Sequence, residues 1–227
     1  MSAAAIELVR HPRARSMRLS VDPASGRVRL TIPTRGSAKA ALAWAEQKRG
    51  WIDTQRASLP QPVPFVPGAV VPVSGDRLTI EWRADAPRGP VRHDATLTCG
   101  GPVEGVAARV ERWLTRTALS VLTEDTRAIA DRQGIAVERV TIGDPRSRWG
   151  SCTSGGAIRY SWRLILAPVF VRRATVAHEV AHRLYMHHGP AFHAAVADLL
   201  NDDPAPAMAW LRRHGAGLHW YGRSSIG

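Results

Sequence analysis

The stretch Ala177-His-Glu-Val-Ala-His182 decides how the second half of the chain folds and what chemistry it can carry. His178 and His182 are four residues apart, about one helical turn, so on a helix both imidazoles project from one face and can grip one ion. Glu179 sits about 100° further round the helix, within reach of a water on that ion without being a ligand itself. Two imidazoles, a water of lowered pKa and a carboxylate to take its proton are the parts of metal-assisted hydrolysis. The flanks supply the helix. Val176, Val180 and Leu184 form an i, i+4, i+8 row with Ala177 and Ala181 beside it, which predicts a helix from Pro168 to about His187. An accidental motif of this kind would appear in roughly one chain in a hundred of this composition, so its neighbours have to support it.

Downstream they do. A catalytic zinc takes three protein ligands and keeps one position open. His187, His188 and His193 all follow, and five of the nine histidines fall between residues 178 and 193. Gly189-Pro190 is expected to end the metal helix just after His187 and His188. Spacing alone leaves the third ligand open among the three.

Upstream, Ile135 to Ile142 and Ala157 to Trp162 read as strands enclosing the loop Asp144-Pro-Arg-Ser-Arg-Trp-Gly-Ser-Cys152. In that loop Trp149 is expected to pack under the metal helix and Gly150 to permit a tight turn. Tyr160, Tyr185 and His193 are candidate transition-state donors, among which the sequence does not choose. The strand at Ala157 to Ser161 is expected to accept an extended peptide by edge pairing. Before it, Val106, Val110, Trp113, Leu114, Val121 and Leu122 recur at helical spacing. They predict a long helix from about Val103 to Gln133, with Gly134 as its stop.

The first part of the chain reads as β-rich. Met17, Leu19 and Val21, then Val28, Leu30 and Ile32, alternate with polar residues around Asp22-Pro-Ala-Ser-Gly26, a hairpin pattern. Ser37 is the expected N-cap of a helix running to about Arg56, with Trp44 and Trp51 expected on its buried side. Residues 60–68 are a proline-rich connector. Leu78, Ile80 and Trp82 alternate next, and Ala95 to Thr98 is expected to pair with them through the turn at Pro87 to Pro90. The expected division is a β-rich part over 1–98 with one helix, then a helix-rich α+β domain over 103–227.

The chain of 227 residues is 44% apolar and 22% charged, an ordinary globular balance. No run of about 18 apolar residues occurs, which excludes a membrane-spanning helix, and Met1 to Val9 lacks a secretory pattern. Cys99 and Cys152 stand alone and are expected to be reduced thiols in a cytoplasmic protein. The net charge is +12, and residues 1–60 hold eleven basic residues against four acids, a net +7. Such an excess fits a solvated arginine-rich surface first, and weak, non-specific nucleic-acid attraction second.

Four ordered motifs add a resemblance. Arg148-Trp-Gly-Ser-Cys152, Ser161-Trp-Arg-Leu-Ile-Leu-Ala-Pro168, His178-Glu-Val-Ala-His182 and His187-His-Gly-Pro-Ala-Phe192 resemble the YgjP-like metallopeptidase family, a relative of the SprT-like and WSS zinc proteases. That family reads RWGSC, NWRLxxAP, HELAH and NHSxxF in the same order. The resemblance implies a zincin-like metallopeptidase domain, with the HExxH helix packed on a small sheet. It implies zinc held by His178, His182 and His188, and Glu179 as the general base. His187, Gly189 and Ser161 stand where the family has Asn, Ser and Asn.

The expected function is therefore a zinc metallopeptidase that cleaves a protein or peptide substrate through a Glu179-activated, metal-bound water. A nucleic-acid context is allowed by the SprT-like relatives. The same water could attack phosphorus in a metal-dependent nucleotide phosphohydrolase. A nucleic-acid-binding module with a structural metal is a third reading, which Glu179 disfavours, since a structural site needs no base.

Overall fold

Val28, Leu30 and Ile32 are fully buried while Arg29 between them is exposed, so the alternation seen in the sequence is realised as a strand, β3 (Val28–Pro33). It pairs antiparallel with β2 (Arg18–Val21) across the expected hairpin, whose turn is held by Asp22 accepting from the Ala24 amide at 3.0 Å. A strand the pattern did not announce, β1 (Ile6–His11), lies parallel on the other side of β3. The expected single helix is two, α1 (Ala38–Gln47) and α2 (Arg49–Ala57), because Lys48 leaves helical backbone at φ −96°, ψ 13°. Ser37 caps α1 as expected, accepting from the Ala40 amide at 3.2 Å. Ala41 and Ala45 of α1 close over Leu30 and Ile32, with Trp44 at the margin of that core. Trp51, expected to be buried, is 42% exposed.

The structure, a computed structural model, describes residues 5–224. The extreme ends of the two expected segments, residues 1–4 and 225–227, lie outside the described residues. The rest divides into two units, residues 5–62 with 223–224 and Val63–Gly222. The division falls at Pro62 rather than between 98 and 103. Val71, Val73, Leu78, Ile80 and Leu97 share one buried core with Val106, Val110 and Leu114, so the second β segment belongs with the helices.

In that second unit, β4 (Val70–Val73), β5 (Asp76–Trp82), β6 (Val91–His93) and β7 (Thr96–Cys99) form a sheet in the order β4-β5-β7-β6. The expected pairing of β7 with β5 occurs, but it is parallel. β6 intervenes and turns back antiparallel into β7 at Asp94 (φ 48°). α3 (Val106–Asp131) covers the core through Val106, Val110, Leu114, Ala118 and Leu122. Gly134, at φ +62°, stops it, and the Ile135 amide donates back to the Ala130 carbonyl at 3.0 Å.

β8 (Arg139–Gly143), β9 (Gly150–Cys152) and β10 (Ala157–Ser161) follow as a small sheet in the order β8-β10-β9. β10 is therefore the central strand, and its expected edge pairing with a peptide is ruled out. Beside it, β9 has a free edge. Helices α4 (Val169–Ala181), α5 (Pro190–Leu200) and α6 (Ala205–Leu218) complete the unit. Arg172 ties α4 to α3 through Asp125 at 2.7 Å and to Ser74 at 3.1 Å. Among the described residues no helix is long and apolar enough to cross a membrane. Cys99 and Cys152 are both free thiols.

Candidate metal centre

α4 carries His178 and Glu179 in its last turn, but the helix ends at Ala181 and His182 is its C-cap residue. Gly189-Pro190 does not terminate this helix. Gly189 is the N-cap of α5 and Pro190 opens it. Proline lacks an amide proton, which the first helical position does not need. Between the two helices the chain turns back and brings His188 to face His178, their Nε2 atoms 3.2 Å apart. The candidate ligand nitrogens of His178, His182 and His188 all lie within 4.8 Å of one another. His187 and His193 are outside this group, as is Cys152.

The donor set fits a zinc-sized ion. Two nitrogens held by one tetrahedral zinc at about 2.0–2.1 Å lie roughly 3.3 Å apart, close to the spacing of His178 and His188. His182 Nδ1 is 3.2 Å from the Tyr185 carbonyl. A carbonyl oxygen only accepts, so the contact selects the Nδ1–H tautomer and leaves Nε2 bare. Burial, then repulsion from His182, His188 and His193, pushes His178 down to about 4. His182 is also lowered, chiefly by burial. Neutral imidazoles are what a metal requires.

Phe192, fully buried on α5, is the floor of the cluster. Its ring centroid is 4.9, 4.7 and 4.6 Å from those of His178, His182 and His188. Phe192 stands in the last of the four sequence motifs, where nothing local assigns it this role. The signal it offers is an aromatic side chain in the first turn of a helix that begins just after the histidines.

Glu179 is buried on the side of α4 that meets β9. A Cβ added to Gly150 would come within 2.6 Å of its Cγ and 2.7 Å of its Cδ. Gly150 is therefore a matter of close approach, not of turn geometry, and its φ is not in the left-handed region. Burial pushes the Glu179 carboxyl up to about 7, against the opposing pull of Arg148.

Trp149, expected under α4, is partly buried against the core cluster that includes Val176, Ala177 and Val180 of that helix. Its ring stands against α6, 5.4 Å from the His219 ring, and a Cβ on Gly215 would meet it at 2.8 Å. The loop bearing Trp149 and Gly150 is anchored by Arg163, which donates to both Asp144 oxygens at 2.7 and 3.0 Å and to the Leu218 carbonyl at 2.9 Å. Tyr160, one of the three candidate donors, is fully buried with its hydroxyl 3.0 Å from Thr126 Oγ1. Burial holds that phenol above its ordinary range. Tyr185 and His193 are exposed.

Three imidazoles and a buried carboxylate gathered at one helix end are the residue set of a metal-dependent hydrolase. The sequence profile of the YgjP-like family, described as a metallopeptidase domain, matches residues 15–214, and the chain belongs to that family. Membership places it among the metallopeptidases. No curated protein and no solved structure matches the chain significantly.

Proposed function

We propose that this chain is a zinc peptidase in which His178, His182 and His188 hold the metal and Glu179 is the general base. The observation that carries the reading is the convergence of three imidazoles over Phe192 with Glu179 buried beside them. A bound divalent zinc would supply Lewis acidity, lowering the pKa of water and polarising the scissile carbonyl. Glu179 accepts the proton at its carboxylate and returns it to the leaving amine. Its seat against Gly150 and β9 fixes the direction from which it acts and shields it from bulk water.

β9 is the substrate-positioning strand in this reading. Trp149 accepts from the Ser161 amide and Thr153 donates to the Ala157 carbonyl. The antiparallel alternation then turns the amides and carbonyls of Gly150 and Cys152 toward the outer edge. An extended peptide pairing there lies alongside the residue that touches Glu179.

The test is Glu179→Gln in zinc-loaded protein, assayed on unfolded protein, DNA-bound protein and nucleoside triphosphates. Peptide hydrolysis by the parent should fall by at least about a hundredfold in kcat, with metal content and substrate affinity retained. Near-normal turnover by the Gln variant removes Glu179 from the mechanism. Activity confined to nucleoside triphosphates replaces the peptidase reading.

A further inference from the structure

None of this chemistry uses the arginines near the start of α3. Arg109, Arg112 and Arg116 on α3, with Arg88 from the loop after β5, line one cavity of about 350 Å³. No carboxylate lines it. Around a helix, positions 109 and 116 are about 20° apart and 112 about 60° away, so one face carries a row roughly 10 Å long. Guanidinium groups stay charged at any working pH, so four of them around one space repel one another until an anion enters. Among the described residues none of the four forms an ion pair.

The surroundings are shaped to hold these side chains. A Cβ at Gly101, where φ is +76°, would meet Arg88 Cγ at 3.0 Å, and one at Gly105 would meet the Arg109 guanidinium carbon at 3.4 Å. The Gly100 amide donates to the Pro87 carbonyl at 2.7 Å, and a Cβ there would overlap the Ala86 carbonyl, so the loop bearing Arg88 is clamped to the end of β7. Arg109 Nη2 donates to the Pro102 carbonyl at 2.6 Å, while its Nε is buried with no hydrogen-bond partner. A buried donor in that condition calls for an acceptor oxygen.

We propose that this cavity binds phosphate groups carried several in a row, from a small polyphosphate or from the backbone of a nucleic-acid strand. Arginine forks meet phosphate oxygens two at a time. A row of this length is long enough to meet more than one phosphate group of a single ligand. The cavity shares no residue with the His178–Phe192 cluster, so this site stands whether or not the peptidase reading does.

The experiment titrates full-length protein with tripolyphosphate by calorimetry and with a short labelled oligodeoxythymidylate by anisotropy. Arg112→Glu/Arg116→Glu removes two exposed members of the row. Arg212→Glu/Arg213→Glu, on the exposed side of α6, makes the same charge change elsewhere. The row variant should bind at least one probe roughly tenfold or more weakly, and the α6 variant should lose less than about threefold. A loss on tripolyphosphate assigns the site to small polyphosphates, and a loss on the oligonucleotide alone assigns it to a strand. Unchanged melting temperature and metal content show that the fold is intact. If the Glu variant does not fold, Arg112→Gln/Arg116→Gln is read the same way. Failure of the parent to bind either probe, or equal losses in the two charge variants, overturns the proposal.

Discussion

Gly150 touches Glu179: the backbone of β9 lies so close to the α4 carboxylate that a single methyl group would strike its Cγ and Cδ. In the Gly150→Ala protein either β9 or Glu179 has to move. Overpacking of this kind costs about 1–3 kcal/mol of stability. A shift of about 1 Å in a catalytic group costs on the order of a hundredfold in rate. The expected phenotype is a folded, metal-replete protein with kcat down at least tenfold, checked by denaturation, elemental analysis and kinetics. Parent-like kcat would mean that the placement of Glu179 does not matter.

Metal retention should divide the histidines. Single Ala substitutions at His178, His182 and His188 should each leave sub-stoichiometric metal after dialysis, whereas His187→Ala and His193→Ala should stay loaded. Phe192→Leu should weaken metal binding by about ten- to a hundredfold, because the ring supports all three imidazoles at once. Stoichiometric metal in His188→Ala together with its loss in His187→Ala would transfer the third ligand to His187.

Asp144 carries a pH signature. Burial raises its carboxyl, but the hydrogen bonds and charge of Arg163, with His219 behind, outweigh this and hold it below its ordinary value. A carboxyl depressed in the folded state stabilises above its unfolded pKa of about 3.9 and loses that contribution as pH falls through the folded value. Asp144→Asn should therefore cost about 1–2 kcal/mol at pH 7, less than a fully buried pair because Asp144 is partly solvated. The gap between the two proteins should close in urea titrations run progressively below pH 4. A gap that persists unchanged in acid would assign the cost to packing.

The arginine-rich first unit should bind single-stranded nucleic acid weakly and without sequence preference. Binding through about four phosphates should weaken as roughly the third to fourth power of salt concentration. Trp51, at 42% exposure, is available for stacking, whereas Trp44 sits against the Leu30–Ile32 core. Trp51→Ala in the full chain should cost about two- to tenfold in oligonucleotide affinity. Tight, salt-insensitive binding would indicate base readout instead.

What the sequence disclosed was local periodicity: the β2–β3 hairpin, the Ser37 cap, the Gly134 stop and the last turn of α4 all follow from neighbours within one or two turns. The end of α4 did not. Leu184 continues the apolar row of Val176 and Val180 yet is 52% exposed, because the chain leaves the helix at His182. Periodicity records which residues could share a face, not where the backbone stops obeying it. The strand β1 is short, and its partner β3 lies more than twenty residues on, so nothing near Ile6 announces the pairing. The position of β6 reversed the sense of the β5–β7 pair for the same reason: strand order is decided by distant contacts. The cluster was legible as spacing, and His188 as its third member only through the family motif. Phe192 and Gly150 matter through contacts far along the chain, invisible to any local pattern.

Phe192 has a thermodynamic consequence. It is anchored in the apolar core, so the ring that the three imidazoles share is held by the packing of the protein's own side chains. If these imidazoles hold a metal as proposed, little chain should need ordering on binding, unlike in small domains whose ion is their only scaffold. The free energy of association is then available as affinity rather than consumed in folding. On that reading occupancy is a reversible variable of an already assembled protein: a chelator should empty the site and zinc should refill it while the helices stay in place.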